Sequence, residues 1–223
     1  MTAIRHTEAV VERALSDPPT RTRQGPRHVA SVYRRSVLAI AASAFVATVI
    51  IAAGPAASPA SAYADGAPPG FTGGFGEAAC DACHFEAAVN TRPGQLMLTG
   101  VPERFVAGER YPLTITLSRS GMAMGGFQLS ARIETGGAQA GTLAPGPGED
   151  KRIKIEPGAV QYANQRQDGT ALAEPGIAKW TVVWTAPATP GAVVFHAAAN
   201  AADKDDAARG DYIYTATATS RPQ

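Results

Sequence analysis

The strongest constraint on the fold is a run of short alternating segments between Gln95 and Thr219. They read LMLTG (96–100), YPLTITLS (111–118), GFQLSARI (126–133), KRIKIE (151–156), AVQYA (159–163), KWTVVWTA (179–186), AVVFHAAA (192–199) and DYIYTATAT (211–219). In the second, Leu113, Ile115 and Leu117 share one face. In the third, Phe127, Leu129, Ala131 and Ile133 alternate with Gln128, Ser130 and Arg132, the pattern of a half-buried strand. Short strands spaced about 8–12 residues apart predict an antiparallel sandwich, not a parallel α/β sheet. No longer repeat period is present. A Gly/Pro-rich stretch (136–150) is expected to interrupt the strands as a loop.

Ahead of this region the chain changes character twice. Residues 1–35 form a basic arm, and residues 1–62 as a whole carry seven Arg against three acids. Residues 36–53 read SVLAIAASAFVATVIIAA without a charge, directly after Arg34-Arg35, and Ala60-Ser61-Ala62 offers a small-residue cleavage site. A secretory signal spanning 36–62 is therefore expected, cut before Tyr63 or retained as an N-terminal anchor, since eighteen apolar residues sit at the short end of a span. In both cases residues 63–223 lie outside the cytoplasm, in a periplasmic, cell-surface or secreted location, and the basic arm stays inside. Tyr33-Arg34-Arg35-Ser36-Val37-Leu38 also resembles a twin-Arg export signal, a route for folded cargo. Residues 63–94 are expected to be a flexible Gly/Pro-rich lead-in, with one helical turn over Phe85–Val89, and residues 95–223 the sandwich.

Within the lead-in lies Cys80-Asp81-Ala82-Cys83-His84, and these two cysteines are the only ones in the chain. A disulfide framework across the fold is thereby excluded. Two thiols three positions apart can each bond a vinyl group of one haem, and the adjacent His supplies an axial iron ligand. The motif predicts one covalent haem c held by Cys80 and Cys83, with His84 on the iron. The competing readings are a redox or structural disulfide, which lacks the βαβ setting of a thioredoxin-like site, and a metal site, which lacks ligands. For the sixth ligand the candidates are Met122 and Met124 in a Gly-rich turn, His196 within an apolar strand, or an open position. Met97 is read as a core side chain.

The CxxCH followed by GFQLSA (126–131), WTVVWTAP (180–187), FHAAANAAD (195–203) and GDYIYT (210–215) is similar to the bacterial choice-of-anchor V domain, a relative of the Reeler (reelin N-terminal) domain. The resemblance covers roughly residues 70–219. It implies an exported, immunoglobulin-like β-sandwich held at the surface by varied anchors, without a settled activity. Many members carry Trp where this chain has Met124, and His where it has Asn164, Gln165 and Arg166.

Other features carry less. The acidic run Asp203-Lys204-Asp205-Asp206 offers too few oxygens for Ca²⁺ even with Asp211, and reads as a solvated loop. Arg209-Gly210-Asp211 spells an adhesion tripeptide by chance, and Trp180 and Trp184 share a strand face suited to the core. Residues 63–223 hold thirteen Lys/Arg and sixteen acids, which gives no electrostatic case for nucleic acid. No catalytic triad, P-loop or dinucleotide fingerprint is present. The chain is expected to be an exported mono-haem electron-transfer protein with an unidentified redox partner protein. It reads as a carrier or binding module more readily than as an enzyme, with possible membrane attachment through 36–53. The alternatives are a surface-exposed Reeler-like interaction module without a redox role, and a haem-based sensor or peroxidase-like protein.

Overall fold

The computed structural model describes residues 63–223. The basic arm and the expected signal or anchor segment 36–62 lie outside the described residues, among which no helix is long and apolar enough to cross a membrane. Ten strands follow in order: β1 (Gln95–Thr99), β2 (Arg104–Phe105), β3 (Arg110–Ser118), β4 (Met124–Ile133), β5 (Thr142–Pro145), β6 (Ile153–Glu156), β7 (Tyr162–Gln165), β8 (Ile177–Thr185), β9 (Val193–Ala202) and β10 (Tyr212–Pro222). They form a four-stranded sheet, β1-β3-β8-β5, and a six-stranded sheet, β2-β10-β9-β4-β7-β6. All pairings are antiparallel except the short parallel contact of β2 with the end of β10. The fold is an all-β, two-sheet sandwich.

Alternation builds the core as expected. Leu113, Ile115 and Leu117 of β3 and Ala178, Trp180, Val182 and Trp184 of β8 point inward from the smaller sheet. They meet Phe127, Leu129 and Ala131 of β4 and Val193, Phe195, Ala197 and Ala199 of β9. Both tryptophans are fully buried, and each indole N–H finds a carbonyl, Trp180 on Gly169 and Trp184 on Ala140. A buried indole without such a partner would forfeit part of what its ring contributes.

Four expectations change. The stretch 136–150 is not wholly a loop, because Thr142–Pro145 pairs with β8 as an edge strand. Met97 is exposed on β1, where Leu96 and Leu98 take the inward positions on either side of it. The helical turn falls on Cys80–Ala82 instead of Phe85–Val89, whose neighbour Asn90 is tied by its side chain to Thr215 of β10.

The largest change concerns residues 63–94, which are a strap laid over the outer face of the six-stranded sheet. Gln128 and Ser130 were expected to face solvent, yet both are buried. The Gln128 amide accepts from the Phe71 N–H at 2.6 Å and donates to the Pro68 carbonyl at 2.8 Å. Ala79 packs on Ala198 and Ile213, and Gly74 lies on the His196 ring so closely that a Cβ there would fall 2.2 Å from Cγ. Glycine is required at that point by the approach of the strap. Glu77 anchors it: Oε1 accepts from Arg132 at 2.5 Å and from the Tyr162 hydroxyl, and Oε2 from Thr72 at 2.6 Å. Burial, reinforced by Glu77, pushes the Tyr162 hydroxyl up to about 12, so it stays a donor at neutral pH.

Candidate functional site

The strap leaves one part of the outer sheet face open. There a cleft of about 220 Å³ is walled by Tyr63–Phe71 residues of the strap, by the Cys80–His84 turn, by the 203–208 loop and by Met124 and Asn200 from the sheet. Small residues keep its floor flat. Gly126 of β4 sits opposite Asn200 of β9, and a Cβ at Gly126 would come 3.1 Å from the Gln165 amide.

A 3-10 turn presents the cysteine motif to this cleft. The Cys80 carbonyl accepts from the N–H groups of both Cys83 (3.2 Å) and His84 (3.0 Å), which folds the five residues into a single compact turn. Ala79 and Cys80 seat the turn on Ala198 and Ile213, and the Phe85 N–H donates to the Ala208 carbonyl at 3.3 Å. Cys80, Cys83, His84 and Met124 all line the cleft. The two cysteines are free thiols, Cys83 exposed and Cys80 partly covered. Burial pushes the Cys80 thiol up to about 12, so it is protonated at neutral pH and a poor nucleophile. That is the reverse of the activated thiol a thioredoxin-like dithiol uses.

His84 is held by groups that the motif does not contain. Its Nδ1 lies 2.6 Å from Oδ2 of Asp211, whose side chain is 4% exposed against 31% for His84. A carboxylate only accepts, so Nδ1 carries a hydrogen in this pair, and in the neutral ring the lone pair is then on Nε2. Asn200 Nδ2 donates to the same Asp211 oxygen at 2.9 Å and stands 3.3 and 3.5 Å from the two ring nitrogens. The Asp203 N–H donates to Asp211 Oδ1 at 3.3 Å. Asp211 also closes the adhesion-tripeptide question, since it is buried.

The other sequence candidates lie elsewhere. Met122 is buried in the hydrophobic core, and His196 sits under the strap between Phe75 and Thr217, away from the residues that line the cleft. The acidic loop uses its own side chains on its own backbone, Asp203 on the Asp205 N–H and Asp205 on the Ala207 N–H. Among the described residues, no three His, Cys, Asp or Glu side chains converge as a metal site. Asn200 and Asp211 are the residues whose pairing with His84 the sequence did not foresee, Asp211 having been weighed only as a Ca²⁺ oxygen and in the tripeptide.

No family model matches the chain, and no curated protein matches it. Among solved structures it is similar to the human F-spondin reeler domain, at 20% identity over 60% of this chain and 91% of that one, with a TM-score of 0.41. It is similar also to the Reelin-N domain of F-spondin, at 18% identity over 65% of this chain and 95% of that one, TM-score 0.43. A cohesin module from a Clostridium perfringens family 33 glycoside hydrolase scores 0.41 at 7% identity, over 58% of this chain and 96% of that one. At these scores the likenesses leave the chemistry of the cleft to be read from its own residues.

Proposed function

We propose that residues 63–223 form an exported mono-haem c protein, with one haem bonded covalently through Cys80 and Cys83 and ligated by His84. The observation that carries the reading is convergence. The two thiols, the histidine and Met124, distant in sequence from them, line one largely apolar cleft. The donor set matches the group. The thiols and the ring come from a single turn, the ring's Nδ1 is already committed to Asp211, and Met124 supplies a thioether from the sheet. Haem asks the chain only for axial ligands, so the lack of a three-residue protein metal site among the described residues does not weigh against it. When bound, the group would supply a one-electron iron couple outside the cytoplasmic membrane. The chain's own residues hold it, shield one side with the strap, and orient His84.

The second reading, a surface-exposed Reeler-like interaction module without a redox role, is favoured by the architecture. A two-sheet sandwich of this kind is complete as a module with its core closed and needs no cofactor to fold. Of the two, it is the reading toward which the F-spondin likenesses lean. One measurement separates them. The full chain is exported from a host that attaches haem c, and its pyridine haemochrome is recorded after acid-acetone extraction. A retained c-type spectrum is expected. Exported protein without haem would leave the interaction module as the function.

A further inference from the structure

Asp211 is an unusual residue to find under a loop. It lies immediately before β10, its carboxylate is almost fully buried, and among the described residues no Lys or Arg pairs with it. Its partners are the His84 ring, the Asn200 amide and one backbone N–H. A buried carboxylate without a cation is costly to keep, and packing alone gives no reason for one in contact with the histidine of the cysteine motif.

We propose that Asp211 is the positioning residue of His84, fixing its ring so that Nε2 is the donor nitrogen and raising the donor strength of that nitrogen. The inference rests on the haem reading above for its redox consequence and on the pairing alone for its tautomeric one. A carboxylate on Nδ1–H polarises the imidazole toward imidazolate. The more electron-rich ligand stabilises ferric over ferrous iron, so the potential of the one-electron couple is lowered. Asn200 holds the same Asp211 oxygen in place beside the ring by donating to it.

The test uses two forms of the full chain. In the haem-loaded protein, Asp211→Asn keeps a neutral acceptor at the same place. The variant is expected to retain haem and to show a reduction potential shifted to more positive values than the wild type. An unchanged potential with haem retained would overturn the proposal. In the haem-free Cys80→Ala/Cys83→Ala protein, where Asp211 is untouched, the ring nitrogens of neutral His84 are read by ¹⁵N NMR. The Nδ1–H tautomer is expected, and an Nε2–H tautomer sinks the proposal whether or not the Asn variant folds. A wild type without haem would instead remove the reading of the previous section and leave the tautomer to decide the role of Asp211.

Discussion

Two histidines meet at the outer face of the six-stranded sheet, His196 on β9 beneath the strap and His84 within the strap itself, and their surroundings differ in kind. His196 is packed from above by Gly74, met edge-on by Phe75 at 5.3 Å, and bonded through Nδ1 to the Thr217 hydroxyl at 3.2 Å. His84 meets a buried carboxylate at 2.6 Å and borders a cleft. At the first, the strap is pinned by Glu77 and closed down. At the second, small residues in the sheet leave space and the histidine is oriented. Both rings are half-buried, one packed by neighbouring groups and the other hydrogen-bonded to a buried carboxylate, and the partners on Nδ1 mark the difference.

Exchanging the two histidines one at a time gives the largest expected contrast. His84→Ala should abolish the low-spin spectrum of the haem-loaded protein, and His196→Ala should leave it as it was. Loss of the spectrum in His196→Ala would assign the ligand to the wrong end of the strap. Met124→Ala sharpens the same comparison, because it should remove a methionine-to-iron charge-transfer band without loss of haem. Met122→Ala, a core truncation, should keep the band while costing about 2–5 kcal/mol of stability.

The pinned end can be broken separately. Glu77→Ala leaves the Arg132 guanidinium, the Tyr162 hydroxyl and the Thr72 hydroxyl without their shared acceptor. Removing one partner of a largely buried pair costs about 3 kcal/mol or more, readable as a shift in the denaturant midpoint. A change below about 0.5 kcal/mol would mean that the strap is not held there. Gly74→Ala should cost about 2 kcal/mol by overpacking against the ring, and less in a His196→Ala background, where only the close approach to the Cβ of residue 196 remains. Equal costs in the two backgrounds would deny the contact.

These regions also mark what was legible in the sequence. The inner face was readable because Leu113, Ile115 and Leu117 alternate cleanly and the partner strands do the same. The outer face was misread because alternation reports polarity and not cover. Gln128 and Ser130 look like solvent-facing residues until a segment with no periodicity of its own is laid over them. The Cys80–His84 motif stood out through its spacing alone, and the haem it suggests is part of the proposal above. Asp211 and Asn200 had no such spacing. Their relation to His84 runs through 127 and 116 positions of chain; the pairing of β9 with β10 brings the two together, and the strap seated on the sheet brings His84 to them. Between Met122 and Met124 the sequence offered no choice. The strand separates their surroundings, with Met124 opening β4 beside the cleft and Met122 turned into the core.

The smallest effect concerns protons at the closed end. Burial lowers the pKa of His196 below its ordinary 6.5, with nearby Arg132 acting in the same direction and Glu77 opposing. In the unfolded chain the ring takes up its proton near 6.5. The folded state binds it more weakly, so acid favours unfolding. The contribution is fully present above about pH 6.5 and is lost as pH falls through the lowered folded value. His196→Gln, which has no titration in this range, should therefore lose less stability than the wild type between pH 7.5 and 5, when both are compared by urea unfolding at each pH. The same carboxylates are present in both proteins, so the difference between the two slopes reports the ring and its coupling to Glu77. Parallel slopes would mean that His196 is as well solvated folded as unfolded, and that the strap does not close over it.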